Sequence, residues 1–181
     1  MDLKKITTKQ MVQMALIAAL YAALTGVFMT ISFTPMQLRV SEVMVFIAYF
    51  NPLAVVSLTI GCFIANLLFS PAAFLDCTFG TLATLLSVLA ISYTSKVLRG
   101  SKKGIWVAAI WPVLFNAVIV GLMLYFAGFV APSENGVIAT ILGAIVSVGV
   151  GEFIVVVIMG APLTIFIMDR YKHIINKFIG I

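Results

Sequence analysis

Residues 41–69 read SEVMVFIAYFNPLAVVSLTIGCFIANLLF, and the number of times this stretch crosses a bilayer decides the fold. It is apolar over most of its length and too long for one helical crossing of a hydrocarbon core about 30 Å thick. Proline has no N–H to donate and disfavours helical geometry in the residue before it, so the chain breaks at Asn51-Pro52. A short helix over 41–50 and a fuller one over 52–69 result, counted here as two passes. A re-entrant hairpin is the competing geometry.

Reading apolar runs and their breakers on either side gives further helices near 10–32, 77–98, 105–130 and 138–169. No stretch is left for a separate soluble unit, so residues 1–181 are read as a single transmembrane domain. Composition agrees: 63% of residues are hydrophobic and 9% charged, against about 25% charged in a soluble domain. Water is not the main solvent of this chain. The apolar run over 11–31 exceeds the core of a signal peptide and is followed by no globular protein, so it is kept as the first membrane helix.

Charge placement bears on the count, because cytoplasmic loops collect Lys and Arg. Lys4, Lys5 and Lys9 precede the first helix, Lys96, Arg99, Lys102 and Lys103 join the fourth to the fifth, and Arg170, Lys172 and Lys177 follow the sixth. Six passes with both termini inside put ten of the eleven basic residues on one side and leave Arg39 on the other. The net charge of +5 therefore reads as membrane orientation, and no nucleic-acid partner is expected. Trp106 suits the interfacial aromatic belt, and His173 falls in the basic flank after the last helix.

Several chemistries find no support. Cys62 and Cys77 have no CxxC spacing and are read as packed thiols, with a pairing between them left open. No Ser/His/Asp or Cys/His nucleophile set lies within the spans, so no enzyme is expected. The chain has no GxxxxGK[ST] phosphate loop, so ATP-driven work must come from partners and no cofactor is assigned to this chain. No internal repeat is detectable, which weakens a carrier built from inverted halves.

Polar residues inside the spans are the functional candidates, since a charge at the bilayer centre costs about 2.5–3.5 kcal/mol on insertion scales. Glu152 leads, in Gly149-Val150-Gly151-Glu152 near the middle of the sixth helix, where two glycines admit a ligand or another backbone. The plain alternative is a carboxylate paired with a neighbouring helix. Asn116 lies near the middle of the fifth helix, one turn after Pro112, and serves either a solute or another helix. Asn66 shares that ambiguity and leans structural.

A second group is expected at the outer end: Gln37, Arg39, Ser41 and Glu42 at the start of the second helix, and Asp76 before the fourth. Arg39 and Glu42 stand three apart and pair if the segment is helical. Asp76 sits where an N-cap belongs. Together with the deeper Glu152 and Asn116, these residues describe a pocket opening outward for a polar ligand with hydrogen-bond donors or positive charge. On the first helix Ala15, Ala19 and Ala23 recur every four residues beside Ala18 and Ala22, a smooth face for a partner helix or for internal packing.

The motifs Gln37-Leu38-Arg39-Val40-Ser41-Glu42, Gly61-Cys62-Phe63-Ile64-Ala65-Asn66, Leu75-Asp76, Phe79-Gly80-Thr81-Leu82-Ala83-Thr84, Leu114-Phe115-Asn116-Ala117 and Gly149-Val150-Gly151-Glu152 follow in an order that resembles the queuosine-precursor transporter (QueT) family. Its members are substrate-binding S components of energy-coupling factor (ECF) transporters. The resemblance implies an all-α, six-helix S-component fold that captures a 7-deazaguanine base, such as queuine or its aminomethyl precursor. It also implies docking through the first helix, at Ala15, Ala19 and Ala23, to a transmembrane coupling subunit, EcfT, above two ATPases. Substrate contacts would fall to Glu152 on the paired donors of the base, Asn116 on its keto oxygen and Glu42 or Asp76 on its amine, with Arg39 beside them. The competing functions are a stand-alone ion-coupled carrier using Glu152 as a proton relay, and a ligand-free structural subunit.

Overall fold

The computed structural model describes residues 6–170, which are helical throughout their ordered elements; among them there is no strand. Helix α1 spans Thr8–Val27 and is followed by a separate turn, Met29–Ser32. The others are α2, Val40–Phe50; α3, Ala54–Phe69; α4, Ala73–Val97; α5, Lys102–Phe126; and α6, Val137–Arg170. Helices α1, α4, α5 and α6 are long and apolar enough to cross a membrane, while α2 and α3 are shorter. Lys4, Lys5, Lys172, His173 and Lys177 lie outside the described residues.

Local chemistry sets the ends. Thr7 and Gln10 form a reciprocal capping box at the start of α1. The Asn51 carboxamide accepts from Leu53 N–H at 3.0 Å across the turn that separates α2 from α3. Ser101 caps α5, its hydroxyl accepting from Gly104 N–H at 3.2 Å, which starts that helix three residues earlier than the apolar run indicates. Helix α4 likewise starts at Ala73 rather than at 77, because Ser70 Oγ accepts from Ala72 N–H at 2.9 Å.

Helix α1 lies along α3 with Gly61 at the crossing, where a Cβ would come within 2.8 Å of the Ala18 carbonyl. Lipid offers no hydrophobic drive between helices, so contact of this closeness holds them through dispersion alone. Ala18 and Ala22 are buried in that contact, whereas Ala15, Ala19 and Ala23 are exposed; internal packing does not account for the second stripe. The basic start of α5 and the end of α6 share one side of the bundle, since Lys102 and Asp169 form an ion pair there. The end of α2 reaches the same side, where Tyr49 O–H donates to the Ser101 carbonyl at 2.8 Å.

One expectation is corrected by the segment between α1 and α2. Met36 seats its carbonyl against Gly151 of α6, in space that any side chain at 151 would fill. Gln37 then turns the chain at φ 49°, a left-handed conformation uncommon outside glycine. Arg39 and Glu42 are thereby buried inside the bundle. They also form no ion pair with each other within 4 Å, because α2 opens as a tight 3-10 helix over Val40–Phe46 and other side chains claim both groups.

Candidate functional site

All six helices bring polar side chains to one buried region. Glu42 is 1% exposed, Glu152 2%, Arg39 and Asp76 3%, and Asn116 5%. Cys62, Thr84, Asn116 and Glu152 lie near the middles of α3, α4, α5 and α6, so these groups sit at half the height of the bundle, while Asp76 lies nearer one end. Polar groups at that depth have only one another, or a solute, for partners.

Glu42 is held through one oxygen. Its Oε1 accepts from Tyr21 O–H, and from Thr84 O–H at 3.2 Å, while its Oε2 is buried with no partner. Arg39 donates from Nη1 to Cys62 Sγ at 3.5 Å and from Nη2 to the Gln37 side-chain oxygen at 3.4 Å, with its guanidinium 5.4 Å from the centre of the Phe33 ring. Its Nε is buried and unpartnered. Thr84 Oγ1 and Cys62 Sγ lie 3.3 Å apart and close the network from the α3 and α4 side.

Asp76 has a different role from the expected cap. Three residues inside α4, it accepts through Oδ2 from Ser70 O–H, and its Oδ1 is left without a partner. Asn66 donates to the Asp76 backbone carbonyl at 2.8 Å, and its own Oδ1 is also unpartnered. Across the bundle Asn116 Nδ2 donates to Glu152 Oε1 at 3.3 Å.

A backbone irregularity marks three of these positions. The helix widens into π geometry over Asp76–Gly80 in α4, over Asn116–Val120 in α5, and over Phe153–Gly160 in α6, immediately after Glu152. A π turn leaves a carbonyl without its usual i+4 partner and turns side chains away from the regular face, and such turns concentrate at functional sites. The Asp76 carbonyl accepts from Thr81 N–H, five residues on, and also from the Asn66 amide at 2.8 Å. The wide turns of α4 and α5 pack on each other, and that of α6 packs on α2.

A model of the family described as QueT transporter matches residues 11–169. The chain belongs to the QueT transporter family. Four of its helices are long and apolar enough to cross a membrane, as membership of a transporter family leads one to expect. Among curated proteins it is similar to the queuosine precursor transporter QueT of Lactococcus lactis subsp. cremoris (strain MG1363), at 41% identity over 85 residues. That match covers 46% of this chain and 49% of the relative, so about half of each is aligned. No solved structure matches.

Within this QueT-family chain the bundle gathers Arg39, Glu42, Asp76, Asn116 and Glu152 into the buried region, and sets Ala15, Ala19 and Ala23 on an outer face. Sequence reasoning passed over Tyr21 and Thr84, which hold Glu42, and treated Cys62 only as a packed thiol. Tyr21 and Thr25 stand one turn apart on the inward face of α1, and Thr25 Oγ1 lies 2.6 Å from Ser41 Oγ. A pair of polar side chains at that spacing in an apolar helix was the available indication. Cys62 and Cys77 are both free, the first buried and the second half-buried. A groove of about 590 Å³ opens elsewhere, between α1, α2 and α6; its walls of Leu16, Ile17, Phe46, Leu163 and Ile167 suit hydrocarbon rather than a polar base.

Proposed function

We propose that this chain is the substrate-capturing S component of an ECF uptake transporter, taking up queuosine precursors such as queuine or 7-aminomethyl-7-deazaguanine from outside the cell. The observation that carries the reading is the set of unpartnered buried atoms: acceptors on Glu42, Asn66 and Asp76 against one donor on Arg39. Each such atom costs about 1–3 kcal/mol when left unbonded. A solute that supplies the missing halves of these bonds recovers that free energy. The complement of three acceptors and one donor is a small molecule rich in N–H groups, with positive charge and an accepting oxygen.

A 7-deazaguanine carries that pattern, with a ring N–H beside an exocyclic amino group, a keto oxygen and, in the aminomethyl form, an ammonium. In this reading Glu152 accepts the paired donors of the base, as a carboxylate does in bidentate contacts. Asn116 and Arg39 supply donors for the keto oxygen, and Glu42 and Asp76 take the remaining N–H groups. The name of the curated relative, a queuosine precursor transporter, points to the same class of solute.

Six passes with both ends inside remain the proposed topology, supported by the shared side of the basic α5 start and the α6 end. The exposed Ala15, Ala19 and Ala23 on α1 suit close approach by a helix of a coupling subunit, EcfT, with two ATPases beneath it providing the energy. The test is a thermal-shift screen of purines and deazapurines on the purified chain. Concentration-dependent stabilisation by 7-deazaguanines is expected, about 2.7 kcal/mol at a hundredfold excess over Kd. A screen in which no deazaguanine stabilises the protein would remove the reading.

A further inference from the structure

Asn66 and Asp76 each leave one buried oxygen unbonded, and both oxygens belong to the same corner of the site. The amide nitrogen of Asn66 is committed to the Asp76 carbonyl at 2.8 Å, so the oxygen is the end left over. Asp76 has one oxygen committed to Ser70 and the other free. Gly80 stands beside them: a Cβ there would lie 3.2 Å from Asn66 Nδ2 and 3.5 Å from Asp76 Oδ1. The missing side chain lets Asn66 and Asp76 come close to the backbone of the wide turn that Asp76 begins.

The charge of this corner is uncompensated. Arg39 is a buried cation of the site, yet its donating nitrogens go to Cys62 and Gln37 and it forms no ion pair with Asp76 within 4 Å. Other carboxylates of the site offer less. Glu42 has a single free oxygen after Tyr21 and Thr84 take the other, and one oxygen of Glu152 is occupied by Asn116. An ammonium carries three N–H donors in a compact head and needs several acceptors, at least one of them charged. Two free oxygens, one formally anionic, meet that need best at Asn66 and Asp76. The corner also lies one turn from the α3–α4 connection, nearer the bundle end than Asn116 or Glu152.

We infer that Asn66 and Asp76 form the subsite for a ligand ammonium group and set the preference for a cationic base over its uncharged analogue. The inference rests on the transport reading above and assigns one end of its ligand. Calorimetry on the purified full chain tests it, using 7-aminomethyl-7-deazaguanine and 7-methyl-7-deazaguanine, in sodium and in sodium-free buffer. The wild type is expected to prefer the aminomethyl base by about 10- to 100-fold, the range of a charge-assisted hydrogen bond. Asp76→Asn should abolish most of that ratio by weakening the aminomethyl base far more than the methyl base, and measurable binding of the methyl base certifies its fold. Asn66→Ala carries the same expectation if Asp76→Asn does not fold. A wild-type ratio near one, or equal weakening of both bases in the variant, overturns the subsite. Sodium-dependent binding of the methyl base that disappears in Asp76→Asn also overturns it, by giving the oxygens to a metal ion. A wild type that binds neither base overturns the transport reading itself, a distinct result.

Discussion

The bond from Asn116 to Glu152 Oε1 decides what a conservative change at Glu152 would do. In Glu152→Gln the amide oxygen can keep that bond, so packing survives while the second oxygen becomes an NH2 group. A donor then faces whatever donors the solute presents, and affinity for a deazaguanine should fall by about 10- to 100-fold with little change in melting temperature. Titration calorimetry together with a thermal melt checks this; unchanged affinity would exclude Glu152 from the contact. Residues of this kind were legible in the sequence, because a carboxylate in the middle of an apolar helix has no cheap bland explanation. Tyr21 and Thr84 were not, because either is tolerated in a membrane helix, and only the position of Glu42 reveals what they hold.

The elements explain why the burial of the second group of polar residues was not legible in the sequence. The apolar runs locate the helices to within a few residues, since lipid forces each backbone to satisfy itself. The dip of residues 33–39 depends instead on a contact between Met36 and Gly151, which lie far apart in sequence. The π turns are equally invisible, being set by what packs against them rather than by any local propensity. The Met36 contact gives a matched pair of variants. Gly151→Ala drives a methyl into the Met36 carbonyl, whereas Gly143→Ala meets nothing within 4 Å. Overpacking of this type costs about 1–3 kcal/mol, so Gly151→Ala should lower stability and weaken ligand binding while Gly143→Ala changes neither. Thermal melts and binding titrations on the two proteins decide it, and indistinguishable behaviour would show that the segment does not need its seat on α6. Helix α1 allows a second separation, since its inward face carries Tyr21 and its outward face Ala19. Ala19→Trp should leave binding intact and abolish uptake in cells; loss of both together would rule out a face used only for docking.

For the molecule as a whole, buried polarity and exposed apolarity have exchanged the places they hold in a soluble protein. Leu16, Leu20, Phe74, Phe126, Ile138 and Phe166 are exposed, as lipid requires, while three carboxylates and a guanidinium are enclosed. Such an arrangement can bind a solute, but moving it against a gradient needs an energy source, and two are conceivable. Buried carboxylates without matching cations would suit a proton relay acting alone. The small-residue face left bare on α1 suits energy supplied by other subunits. Reconstitution separates them. In vesicles containing this chain alone, labelled 7-aminomethyl-7-deazaguanine should be bound in proportion to protein and not concentrated in the lumen, with or without an imposed proton or sodium gradient. Co-reconstitution with a coupling subunit and two ATPases should then give accumulation that requires ATP. Accumulation by the chain alone, driven by an ion gradient and lost in Glu152→Gln, would instead assign the buried carboxylates to ion coupling and make partners unnecessary.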